Sequence, residues 1–129
     1  MFALNQFPAT SLGFPDVCLT PNIVPLPVPY MNSAFEYSGF PAAYNILVGC
    51  APVHNMATVL SPSFGDLPGI AGVASGTVMG PVFSMVNSNT CLMGCLPTKR
   101  VTSFGSSNLI NSMSSAVTPN QFRVLILSP

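Results

Sequence analysis

The chain has 129 residues, enough for one domain, and only 5% of them are charged, against roughly 25% in average soluble proteins. Its three cations include the adjacent pair Lys99 and Arg100, so it lacks the row of positive charge that nucleic-acid phosphates need. Acidic substrates and anionic lipid surfaces are disfavoured for the same reason. So uncharged a surface suits a domain largely covered by a partner, or one that must itself pass through an apolar medium, where charge is costly. The first reading is favoured.

In chain order, the amino terminus has no basic n-region and no clean apolar run, so no secretory signal peptide is expected. Prolines at 21, 25, 27 and 29 argue against helix and central strand alike and predict extended, polyproline-like chain. Residues 44–50 and 90–95 predict buried strands, each ending at Gly-x-x-Pro. Segments 61–69 and 103–115 are rich in turn residues, and 106–116 has room for one helical turn. Between Pro68 and Pro81 lies a glycine-spaced apolar stretch, 69–80, far short of the ~20 residues a membrane span needs. It reads as a loop or short helix packed on the domain. Residues 121–127 predict a last strand. The expectation is one all-β domain over 1–129, with no linker and no second domain.

The most informative pattern is a repeat. Gly49-Cys50-Ala51-Pro52-Val53-His54-Asn55 returns as Gly94-Cys95-Leu96-Pro97-Thr98-Lys99-Arg100, offset by 95 − 50 = 45 residues. Each copy follows a short apolar run, Ile46-Leu47-Val48 or Cys91-Leu92-Met93. A strand, a glycine turn, a proline-fixed corner and a second short strand explain each copy, so the domain is built from repeated hairpins.

Catalytic chemistry is sparse. There is one histidine, His54, no paired-carboxylate motif, and no Lys-Ser/Thr after the glycine-rich segment to make a phosphate loop. A Cys18/His54 nucleophile dyad is a formal option only. Free thiols are the default for Cys18, Cys50, Cys91 and Cys95, with Cys91 expected among the core positions. Asp66 reads as a turn residue, held by an Asx-type bond.

Several pieces resemble the PAAR-like domains, relatives of the proline-alanine-alanine-arginine tips of bacterial type VI secretion systems. They are Phe14-Pro15-Asp16-Val17-Cys18-Leu19-Thr20-Pro21 with Val28-Pro29-Tyr30, then Gly49–Asn55, the Gly69–Gly76 stretch, Met79-Gly80-Pro81, and Pro97-Thr98-Lys99-Arg100 in the place of the name-giving tetrapeptide. The resemblance runs from about Phe2 to Leu127. It implies a small cone of short strands and hairpins in about three sheets. The wide base would sit on a trimeric VgrG-type spike, and open sheet edges would be completed by the partner. The role implied is a non-enzymatic tip that sharpens the spike for membrane puncture and helps deliver effectors. Such a tip is assembled in the bacterial cytoplasm and exported on the spike. The chain ends at Ser128-Pro129, so a delivered toxin is expected to be a separate polypeptide. An adaptor that mainly docks such a toxin, or a small membrane-active protein built on 69–80, are the alternatives.

The family's better-known branch binds a metal near its apex, mainly through histidines placed just beyond each corner. Here those stretches, Ser61–Gly65 and Phe104–Asn108, contain neither His nor Cys. If zinc is bound, Cys18 and His54 are the candidate ligands, with Cys50 and Cys95 able to complete a Cys/His set. The alternative is that His54 makes ordinary hydrogen bonds and the thiols pack as small apolar groups. Lys99 and Arg100 are expected to snorkel or pair at the base or the partner edge.

Overall fold

The computed structural model describes residues 1–128; Pro129 lies outside the described residues. The fold is all-β, in one large sheet and two small ones. The large sheet is antiparallel and starts from a long hairpin, β1 (Thr10–Thr20) with β2 (Leu26–Phe35). Strands β3 (Gly39–Phe40), β6 (Val59–Leu60), β9 (Val82–Val86), β12 (Phe104–Ser107) and β13 (Ser112–Ala116) lead up to β1 on one side. Strand β7 (Ser63–Phe64) closes the other side beyond β2, and β8 (Ala71–Gly72) pairs with the far half of β1. The small sheets are the hairpins β4 (Ala43–Val48) with β5 (Ala51–Val53), and β10 (Ser88–Met93) with β11 (Leu96–Thr98).

These two hairpins are the sequence repeat, and their correspondence extends to the register. Leu47 faces Pro52 and Val48 faces Ala51 in the first; Leu92 faces Pro97 and Met93 faces Leu96 in the second. Each has its irregularity at the same place, between Ala43 and Leu47 and between Ser88 and Leu92. Both turn residues have positive φ in each copy, 60° and 69° at Gly49-Cys50 and 68° and 63° at Gly94-Cys95. That is the turn whose twist matches a two-residue hairpin. It leaves Cys50 and Cys95 exposed at the tips, while Cys91 is only half-buried rather than a core residue.

Four sequence expectations are corrected. The strands expected at 44–50 and 90–95 form, but they are largely exposed rather than buried. The proline-rich segment does contribute a strand within the large sheet, because Pro27 and Pro29 lie where β2 has β1 on one side only. Strand β7 pairs further along, at Ser33 and Ala34, so the missing proline N–H groups face an open edge. Residues 106–116 form the ends of β12 and β13 around a tight turn rather than a helical one. Residues 121–127 are mostly irregular, and only Leu125 makes a strand-like bridge, to Phe2.

The interior is polar for so apolar a chain. Ala34, Leu60 and Val82 form a small apolar cluster. Serine, threonine and asparagine fill much of the rest, including Asn5, Asn32, Thr58, Ser63, Thr98 and Asn108. Large apolar side chains remain outside, among them Phe40, Leu47, Leu92, Ile110, Phe122 and Leu125.

Candidate functional site

Three short segments meet in a closed ring of main-chain hydrogen bonds. The N–H of Leu4 donates to the carbonyl of Lys99, that of Lys99 to His54, and that of His54 back to Leu4, at 3.0, 3.1 and 3.0 Å. A second ring repeats the cycle: Gln6 to Pro52, Met56 to Pro97, and Val101 to Phe2, at 3.0, 2.8 and 2.9 Å. The isolated bridges Asn5–Val53, Asn55–Thr98 and Ala3–Arg100 follow the same order. Two cyclic sets with matching offsets define an approximate three-fold axis through one chain.

Each segment carries an arm. Two are the repeated hairpins. The third is made by the two ends of the chain, where Phe2 bridges Leu125, Ile126 N–H donates to Met1 and the terminal ammonium donates to Ile126. The pairs Leu47/Pro52, Leu92/Pro97 and Phe2/Leu125 are therefore equivalent. All three leucines are exposed, by 62, 58 and 50%. A polar side chain ties each segment to an arm. Asn5 Nδ2 donates to the Val48 carbonyl at 2.6 Å, Asn55 Nδ2 to that of Met93 at 3.3 Å, and the Arg100 guanidinium to that of Ser128.

The ring residues Leu4, His54 and Lys99 are buried with Glu36, the first residue of a 3-10 turn after β2. The Glu36 carboxylate accepts four hydrogen bonds: two from Lys99 Nζ at 2.8 and 2.9 Å, one from His54 Nδ1 at 2.9 Å and one from Ser11 Oγ at 2.6 Å. Burial alone would raise the Glu36 pKa. The Lys99 charge and the His54 hydrogen bond outweigh it and hold the carboxyl at about 2. Lys99 is thus an interior cation, not a snorkelling surface contact as the adjacent basic pair suggested. Arg100 is partly exposed, and its guanidinium is engaged within the chain. Nothing in the sequence near Lys99 signals its partner, 63 residues away.

A second buried cluster lies further along β1. Asp16 and Cys18, two apart on one face of the strand, meet Asp66 from the loop between β7 and β8, all three fully buried. Their ligand-type atoms lie within 4.8 Å of one another. Asn32 Nδ2 donates to Asp16 Oδ2 at 2.7 Å, and the Asn111 amide donates to Asp16 Oδ1. Asn108 Nδ2 and the Met79 N–H each donate to Asp66 Oδ2 at 3.0 Å. Burial first, then the Asp16 and Asp66 charges, push the Cys18 thiol up to about 12. The Asp66 side chain ties down a distant loop; the local turn is made by its main-chain carbonyl, which accepts from Gly69.

Cys18 therefore sits in a group whose chemistry suits a metal; His54 lies outside that group, with Nδ1 bonded to Glu36 and its buried Nε2 without a partner among the described residues. No cluster of three metal-ligating side chains among the described residues includes a histidine. The Asp16–Cys18 pair on one strand face was the available signal for the acidic group, and Asp66 arrives from 48 residues away.

Fold and site together define a β-rich domain with three-fold pseudo-symmetry and exposed apolar arms. Residues 9–114 match the family model described as the Toxin PAAR-like domain, and the chain belongs to that family. No curated protein and no solved structure matches the chain. Among the described residues, no helix is long and apolar enough to cross a membrane.

Proposed function

We propose that this protein is a non-enzymatic tip that caps a trimeric VgrG-type spike of a type VI or related contractile injection system, sharpening it for membrane puncture and effector delivery. The observation that carries this reading is the cyclic main-chain pattern at Leu4, His54 and Lys99. An asymmetric chain can cap a three-fold shaft when it offers each subunit a similar edge. The equivalent exposed leucines 47, 92 and 125 give each arm an apolar contact, and open strand edges give it main-chain donors and acceptors. Force travels along the shaft, so the tip needs rigidity rather than chemistry. The Glu36 knot, which ties two of the three ring residues together, supplies rigidity where an apolar core is thin. The reading requires no metal.

The test is native mass spectrometry of the purified chain with its spike. One tip per spike trimer is expected. Changing Leu47, Leu92 and Leu125 together to arginine should abolish the complex and leave the β-sheet circular dichroism of the free chain intact. Raising salt from 0.15 to 1 M should weaken the complex little, since ion pairs contribute little to it. Another stoichiometry, or a complex indifferent to the triple change, rules this reading out.

A further inference from the structure

We propose that Asp16, Cys18 and Asp66 hold one divalent cation of the zinc class, sealed between β1 and the loop that leads to β8. This inference does not depend on the spike-tip reading. It begins with a charge imbalance. Two carboxylates are fully buried here, yet the ion pairs formed among the described residues involve only Glu36, with Lys99 and His54. A buried carboxylate with no countercharge is costly, and amide donors compensate it only in part.

The second observation is an unmet acceptor. Asp66 is fully buried, and its Oδ1 has no hydrogen-bond partner. Asn32, 1% exposed and bonded to Asp16 through Nδ2, has an unpartnered Oδ1 as well. One acceptor of the cluster and one beside it thus have no donor among the described residues, which leaves acceptor capacity for a cation.

Geometry supplies the third. A tetrahedral zinc with Zn–S of about 2.3 Å and Zn–O of about 2.1 Å separates sulfur from oxygen ligands by about 3.6 Å. Cys18 Sγ lies 3.6 Å from Asp16 Oδ1 and 3.9 Å from Asp66 Oδ2. A thiol has one proton and can donate to only one of these oxygens, and both separations match those of ligands to one cation; Asn111 Nδ2, 3.8 Å from the same sulfur, and Asn108 Nδ2 border the cluster as amide donors. Asn108 and Asn111, which donate to the same carboxylates, would be the groups that orient the ligands from outside. Mixed carboxylate and thiolate donors suit zinc better than magnesium or calcium, which favour oxygen alone. A fully buried site loads as the chain folds.

The test starts from full-length protein in which Cys50, Cys91 and Cys95 are all serine, which leaves Cys18 as the sole thiol. The protein is unfolded with chelator and refolded with zinc or cobalt. We expect one zinc per chain by elemental analysis, a Tm above that of chelator-refolded protein, and a thiolate-to-cobalt charge-transfer absorption. Asp66→Asn should weaken zinc binding by about ten-fold or more, and Cys18→Ser should remove the cobalt band. If the triple-serine protein fails to fold, the cobalt band of the unaltered chain against Cys18→Ser alone decides the matter. Absence of stoichiometric zinc, a Tm indifferent to chelator, or a band that survives loss of Cys18 overturns the proposal.

Discussion

Lys99→Met is the most direct probe of the Glu36 knot. The substitution keeps most of the volume and removes the ammonium that donates twice to Glu36. Glu36 is then a fully buried carboxylate left with His54 and Ser11. Removing one partner of a buried pair costs about 3–5 kcal/mol, a large fraction of the roughly 5–15 kcal/mol that stabilises a typical domain. With a urea m value of about 2 kcal/mol/M, the unfolding midpoint should fall by about 2 M. The double variant Glu36→Gln/Lys99→Met removes both charges and should be more stable than Lys99→Met alone, with a coupling measurable in a double-mutant cycle. Equilibrium urea unfolding followed by circular dichroism reads both. A cost below about 1 kcal/mol, the range of exposed pairs, would refute the argument that this ion pair is buried and structural.

The same carboxyl predicts an acid response. Its pKa falls from 4.5 to about 2 in the fold, so the unfolded chain binds more protons between those values and stability rises with pH there. The contribution, about 3 kcal/mol, should be complete above about pH 5 and lost as pH falls towards 2. Urea midpoints measured across that range check it, and Glu36→Gln should flatten the curve. Gly105→Ala should prevent folding or nearly so, because a Cβ there would sit 1.8 Å from the Phe83 carbonyl oxygen across the β12–β9 pair. Gly76→Ala meets open space and should cost only about 1 kcal/mol for its positive φ; thermal unfolding of the two variants gives the contrast. Gly39→Ala places a Cβ 2.6 Å from His54 Cε1, so a loss of about 1–3 kcal/mol is expected by urea unfolding.

The parts of this molecule that could be read from sequence are those specified locally. The paired Gly-Cys turns and their 45-residue offset announce two hairpins, and the structure reproduces even their shared irregularity. The third arm has no such signature. Its ring residue is Leu4, where the other copies have His54 and Lys99, and its strands come from opposite ends of the chain. Only long-range pairing reveals the equivalence. The β2 strand was hidden by its prolines, whose cost vanishes at an open edge. Lys99 next to Arg100 looked like surface charge because its counter-ion is distant in sequence. For the acidic cluster, Asp66 carried no signal in the sequence, and the lone histidine lies outside it. Burial without countercharge, the property that singles out Asp16 and Asp66, exists only in three dimensions.

The junction of Met1 and Phe2 with Leu125 and Ile126 has a topological consequence. Because residues 1–2 and 125–126 lie side by side in one arm of a pseudo-symmetric trio, that arm is assembled from two stretches of chain far apart in sequence. A circular permutant with the old ends joined by a short linker, and new ends cut at Gly49-Cys50 or Gly94-Cys95, would thread the same rings in a different order. The chain's polarity around the axis, rather than its starting point, is what the architecture specifies.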